Sequence, residues 1–288
     1  MNDLFPPIYH QSMKTGHRFK RLRALPFRIV LPNLVTLLAL CAGLTAIRMG
    51  LEARWEWSVG AVALAAMLDA IDGRVARWLK GTSKFGAELD SLADFVNFGV
   101  VPALILYLWI LDLNQSFGWL AVLAFAIAMA LRLARFNVMA EKPIADWQKN
   151  YFTGMPAPAA ALCSLLPLYL NQFLPIPHDR TVATIVAAYV IFIAFMMVST
   201  IPTYSGKKFG ARIPREVVIP LSVGFVLFVA ALISYPMLIL SVATLAYLAY
   251  IPIGWRTYRR HASAQPPAPA EQVDDGPDDE EDNGQGGA

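Results

Sequence analysis

The sequence predicts an all-α integral membrane protein of about eight transmembrane helices with both termini cytoplasmic, and three observations carry that prediction. Hydrophobic residues make up 57% of the 288 positions, charged residues 16%, and mean hydropathy is +0.48, a balance too apolar for an ordinary soluble domain. Stretches long enough to cross a hydrocarbon core of about 30 Å recur along the chain. Lys and Arg fall almost entirely in alternate connections between those stretches.

The stretches run approximately over 31–49, 57–79, 90–111, 117–137, 155–174, 181–201, 217–234 and 236–255, joined by short polar or basic loops. The first starts at Pro32-Asn33, a pairing that suits a helix start. The second ends, and the third begins, in aspartates. The fourth ends at Arg132, Arg135 and Asn137. The fifth opens on Gly154-Met155-Pro156-Ala157-Pro158, where proline is tolerated in a first helical turn. The last three rest on length and hydropathy. Cys41 and Cys163 lie inside apolar stretches without metal-ligand spacing and are read as small buried side chains.

This gives one membrane domain over 31–260. Residues 1–30 form a basic juxtamembrane segment, retained because no cleavage pattern follows the first apolar run, and expected to lie on the membrane surface. Residues 261–288, rich in Pro, Gly and acid, form a disordered acidic tail, since they cannot bury enough apolar surface to offset the entropy of ordering.

Taken alternately, one set of connections together with both termini holds 21 Lys and Arg, and the other set holds only Arg48, Arg54 and Arg180. That asymmetry predicts a multi-pass inner-membrane protein with an even span count. The net charge of +3 conceals it because the acidic tail offsets the basic loops. Nothing in the pattern suggests a nucleic-acid partner.

Chemistry concentrates in MLDAIDGRVARWLKGTSKFGAELDSLADFVNFG, between the second and third spans. A carboxylate at mid-bilayer costs about 2.5–3.5 kcal/mol even on insertion scales, so Asp69, Asp72, Asp90 and Asp94 must be paired, solvated or metal-bound. Asp69 and Asp72 are three apart and Asp90 and Asp94 four apart, so each pair shares a helix face, and antiparallel packing would unite all four. Such hard oxygen donors select Mg²⁺, Mn²⁺ or Ca²⁺, and a pair of such ions suits displacement at phosphorus. Gly73 removes a side chain where a ligand would approach, and Arg77 can meet a phosphate.

The spacing D-x2-D-G-x2-A-R-x8-G-x3-D-x3-D, met by Asp69, Asp72, Gly73, Ala76, Arg77, Gly86, Asp90 and Asp94, resembles that of the CDP-alcohol phosphotransferases. The resemblance implies two divalent ions, Mg²⁺ or Mn²⁺, one held by Asp69, Asp72 and Asp90 and the other by Asp69, Asp90 and Asp94. It also implies Asp94 as general base, and CDP-diacylglycerol contacts from Asn33, Thr36, Gly73, Arg77 and Ser83. Helix capping is the alternative role for Asn33 and Thr36.

The blocks FGAELDSLADFVNFGVVPA, LRLARFNV and YFTGMPAPAAA are similar, in that order, to those of the phosphatidylserine synthase branch, which implies L-serine as acceptor and a homodimer. Asn97 and Met155 depart from the commonest residues of these blocks. Arg132 and Arg135, beside Asn137, are candidate contacts for the serine carboxylate or a lipid phosphate, or else interfacial anchors. The alternatives are another acceptor (glycerol 3-phosphate, choline or inositol type) and a membrane transporter with intramembrane carboxylates.

Overall fold

The computed structural model describes residues 27–79, 81, 83–140, 151–199, 202–204 and 215–264. Most of the basic segment expected over 1–30 and of the acidic tail over 261–288 lies outside these residues, as do Lys142, Lys149, Lys207, Lys208 and Arg212. The described part is helical: α1 (Phe27–Leu51), α2 (Trp55–Trp78), α3 (Lys84–Asp94), α4 (Val101–Trp109), α5 (Gln115–Ala140), α6 (Ala157–Ser164), α7 (Leu166–Leu170), α8 (Arg180–Val198), α9 (Arg215–Ser234) and α10 (Pro236–Ala264).

Among the described residues four helical rods are long and apolar enough to cross a membrane: Val30–Leu51, Lys84–Trp109, Leu111–Met139 and Arg180–Val198. A fifth is reached if the bent pair Ser222–Leu232 and Pro236–Pro252 is one span. α2 has the length, but Glu56, Asp69, Asp72, Arg74 and Arg77 dilute its hydropathy. The predicted fifth span is divided into the short helices α6 and α7.

α1 and α2 form an antiparallel hairpin packed along its length. The chain reverses at Glu52–Arg54, where Ala53 takes φ 56° and the Arg54 N–H donates to the Met49 carbonyl at 2.9 Å. α3 and α4 belong to one rod interrupted by a π-turn at Phe95–Val100, in which the Val101 N–H donates five residues back to the Val96 carbonyl. Pro102 gives the local cause, because it has no N–H for the Phe98 carbonyl and its ring crowds that oxygen.

The break between α6 and α7 has a parallel origin. Pro167 supplies no N–H to Cys163, whose carbonyl accepts instead from the Leu165 N–H at the helix end and from the hydroxyl of Tyr189 on α8 at 2.7 Å. In hydrocarbon a freed carbonyl has no water to turn to, so a neighbouring helix must satisfy it.

One short ribbon accompanies the helices of this all-α architecture. β1 (Tyr151–Thr153) pairs antiparallel with β2 (Pro202–Tyr204), with Phe152 opposite Thr203. Proline bounds these segments: Pro202 cannot continue α8, and Pro156 disfavours helical backbone at Met155, so that α6 starts only after it. Gly154 turns the chain from β1 towards α6 at φ +78°, and a Cβ there would lie 2.6 Å from the Met197 carbonyl oxygen.

The buried core gathers the π-turn, α4, α5, α6 and α8 around Phe98, Leu106, Phe125, Met129, Ala160 and Met197. The outward faces of α1, α5 and α8 expose Leu37, Leu44, Leu123, Ile127, Phe192 and Phe195, an apolar girdle suited to lipid. These apolar rods describe a multi-pass membrane protein.

Tyr189→Phe should remove the interhelical donor to the Cys163 carbonyl and destabilise the detergent-solubilised protein by about 0.5–1.5 kcal/mol. Thermal unfolding followed by size-exclusion loss would read a lower midpoint, and an unchanged midpoint would argue against this role.

Candidate metal and nucleotide site

The carboxylates meet because α1 splints them. Asp69 and Asp72 lie in the last turns of α2, and Asp90 and Asp94 lie on α3, which returns against α1 after a short connection. One oxygen each from Asp69, Asp72 and Asp90 falls within 4.8 Å of the others. Asp94 is outside that trio but its carboxyl is in hydrogen-bonding contact with Asp69. A cation between them would relieve the repulsion of two carboxylates held so close.

Asp72, only 4% exposed, accepts a hydrogen bond from the Thr36 hydroxyl at 2.8 Å. The same hydroxyl lies 3.2 Å from the Pro32 carbonyl, so one turn of α1 holds the Asp72 side chain in place. Asp94 Oδ1 is buried without a hydrogen-bond partner. A converging set of hard oxygen donors and one orphaned carboxylate oxygen fit a divalent cation.

Beside the trio opens a cleft of about 190 Å³, lined by residues that include Asn33, Thr36, Asp72, Gly73, Ser83 and Asp90. Ser83 has extended backbone and caps α3, its Oγ accepting the Gly86 N–H at 3.0 Å. Asn33 approaches Gly86 so closely that a Cβ at that glycine would stand 2.8 Å from Asn33 Oδ1. The motif glycine therefore admits α1 to the start of α3. Gly73 differs: a Cβ there would meet nothing within 4 Å, so its bareness serves the cleft and not the packing. Arg77 is exposed near the end of α2 and does not line the cleft.

The arginines on α5 have definite partners. Arg132 is within electrostatic range of Asp94, and its Nε donates to the Met155 carbonyl at 2.7 Å. Arg135 donates through Nη1 to the Val198 carbonyl at 2.8 Å, capping α8. Asn137 donates to Ser91 Oγ at 3.1 Å, tying α5 to α3 one residue beyond Asp90. Arg132 thus stands at the site, whereas the contacts of Arg135 and Asn137 are structural. Sequence reasoning passed over Pro32, Gly81, Ala87 and Ser91; only the proximity of Pro32 to Asn33, and of the others to the motif, could have marked them.

The sequence profile of the CDP-alcohol phosphatidyltransferases matches residues 29–202, which contain every carboxylate of the cluster, and a second profile, CDP-alcohol phosphatidyltransferase 2, matches residues 216–252. This chain belongs to the CDP-alcohol phosphatidyltransferase family. It is similar to a Mycobacterium tuberculosis protein named CDP-diacylglycerol–serine O-phosphatidyltransferase, 37% identical over 231 residues that cover 80% of this chain and 79% of the relative. Proteins of the same name from Helicobacter pylori and Methanocaldococcus jannaschii are each 34% identical, over 229 and 183 residues. Those alignments cover 78% and 63% of this chain, and 90% and 78% of the relatives. Family membership agrees with the divalent-metal chemistry the donor set supports.

Asp72→Asn should weaken Mn²⁺ binding by roughly tenfold or more, as removal of one of three anionic oxygen donors does. Titration by electron paramagnetic resonance would read it, with Asp112→Asn on the exposed connection before α5 unchanged.

Proposed function

We propose that this protein transfers the phosphatidyl group of CDP-diacylglycerol to the hydroxyl of L-serine, forming phosphatidylserine and CMP. The observation that carries the reaction is the convergence of Asp69, Asp72 and Asp90, with Asp94 against Asp69, at the edge of a cleft framed by the family motif. The acceptor is supported by the printed activity of the relatives and by the ordered blocks around the motif.

Asp69, Asp72 and Asp90 would hold one divalent ion, Mg²⁺ or Mn²⁺, and Asp69, Asp90 and Asp94 a second. Bound there, the metal supplies charge neutralisation for the pyrophosphate and for the oxygens exchanged at phosphorus. Asn33, Thr36, Gly73 and Ser83 frame the space for the cytidine and its phosphates, and Arg77 reaches the phosphates from outside the cleft.

Asp94 takes the proton from the serine hydroxyl. The serine oxygen then bonds to the phosphorus carrying diacylglycerol, and the bond from that phosphorus to the oxygen of CMP breaks, with CMP leaving as the anion. The chain contributes positioning and electrostatic stabilisation, so no covalent enzyme intermediate is required. Arg132, anchored through Nε to Met155, has terminal nitrogens to offer to the serine carboxylate. Arg135 and Asn137 would shape that side of the site.

The same reading places the domain over 31–260 in the inner membrane as eight spans, with termini and active site facing the cytoplasm. The basic segment 1–30 and the acidic tail 261–288 would flank it on that side. The 21-to-3 division of Lys and Arg supports the orientation, and the resemblance supports a homodimer.

Asp94→Asn should lower CMP release by about 10²–10⁴-fold, the range for loss of a general base, whereas Asp112→Asn should not. Chelation should abolish turnover and Mg²⁺ or Mn²⁺ restore it. Labelled CDP-diacylglycerol offered with L-serine, glycerol 3-phosphate, choline or inositol should yield product with serine; turnover with another alcohol alone would reassign the acceptor.

A further inference from the structure

We infer that Asn97 is a positioning residue: clamped against Gly43 of α1, it holds the π-turn that aims Asp94 at the other three carboxylates. The inference rests on the base role proposed above for Asp94.

The π-turn begins immediately after Asp94. A π-turn winds one extra residue into the helix, so it resets by about 100° the relation between the Asp94 face and everything deeper in the rod. Pro102 removes the regular hydrogen bond to Phe98 but does not choose between a π-turn and a simple kink. A second contact has to fix the choice.

Asn97 lies inside that turn and is 1% exposed, with Oδ1 lacking any hydrogen-bond partner. An unpartnered amide oxygen in an apolar interior is unfavourable by about 1–3 kcal/mol, so its presence calls for a compensating contact. The facing residue is Gly43. A methyl group at Gly43 would overlap Asn97 Oδ1 and stand 3.0 Å from its Cγ, while the next neighbour, Val101, is at an ordinary 3.5 Å. The bare Cα of Gly43 therefore abuts the amide, the geometry in which a Cα–H group approaches a carbonyl oxygen between packed helices.

α1 thereby touches both halves of the carboxylate set. Thr36 holds Asp72 by a 2.8 Å hydrogen bond, and Gly43, two helical turns further along the same face, receives Asn97. Ala39 and Ala46 on that face are fully buried, so the whole stripe allows close approach. One rigid helix sets the distance between the Asp72 end and the Asp94 end of the site.

Gly43→Ala should displace the π-turn and lower kcat by roughly 10- to 100-fold, the scale of a 1 Å misplacement of a reacting group. KM for CDP-diacylglycerol and affinity for the first Mn²⁺ should stay within about threefold, because Asp69, Asp72 and Asp90 are not moved, while the second ion, which Asp94 would share, binds more weakly. Asn97→Ala alone should lower kcat less. The double variant Gly43→Ala/Asn97→Ala should recover most of the loss in Gly43→Ala, since the methyl then occupies the space vacated by the amide, a non-additivity expected only of residues in contact.

Wild-type kcat in Gly43→Ala would overturn the inference. So would a double variant no faster than Gly43→Ala, or a loss that tracks lowered affinity for the first Mn²⁺ and a lowered thermal midpoint together. Asp94→Asn measured alongside separates the two proposals. If it retains CMP release, the base role fails and the inference with it; if it is inactive while Gly43→Ala is fully active, only the clamp fails.

Discussion

Carboxylates that converge within 4.8 Å at one end of an apolar helix bundle repel one another by roughly 3–4 kcal/mol per pair at an effective dielectric near 20. Little in the surrounding helices offsets that repulsion: among the described residues Asp72 has the Thr36 hydroxyl and the Gly73 backbone, Asp69 has Asp94 against it, and the trio has no ion pair. The arrangement is therefore organised to receive cations, and the rest of the fold can be understood as the scaffold that keeps the carboxylates together in their absence. α1 is central to it. Thr36 fixes Asp72, Asn33 abuts the start of α3 through Gly86, and Gly43 meets the turn that follows Asp94.

A second constraint comes from the hydrocarbon. Where the helices depart from regularity they free backbone groups that water cannot satisfy in hydrocarbon, and at three such places among the described residues a side chain from elsewhere in the chain answers. Tyr189 meets the carbonyl left by Pro167, Arg132 meets Met155 at the entry to α6, and Arg135 meets Val198 at the exit from α8. Closing the backbone is one task of such a donor, and setting the electrostatic environment of the carboxylates can be another. Arg132 joins the two functions, being anchored by one nitrogen and in range of Asp94.

The short ribbon of β1 and β2 belongs to the same economy. It links the segments flanking two basic loops at residues 151–153 and 202–204, and Gly154 lets the chain pass under the end of α8 at a separation no side chain would permit. Periodicity could not have revealed it, since three-residue strands carry too few positions to establish alternation. Prolines at 156 and 202 were the available signal, and they indicate where a helix stops without saying what pairs.

The sequence by itself determined the membrane class, the helical character of the chain, the identity of the four aspartates and their division into two helix-face pairs. These follow from composition and from spacing along a helix, which are local properties. It also determined the family, because eight residues at fixed offsets describe one helix–loop–helix. Tertiary structure alone decided that Asp69, Asp72 and Asp90 form a trio with Asp94 against Asp69, that Thr36, far away in sequence, steadies Asp72, and that Arg135 and Asn137 bond to Val198 and Ser91 while Arg132 lies in range of Asp94. It alone revealed the π-turn and its contact with Gly43. Each of these depends on the relative rotation and approach of helices far apart in the chain, which is set by side chains meeting across the bundle and leaves no periodic trace in the sequence.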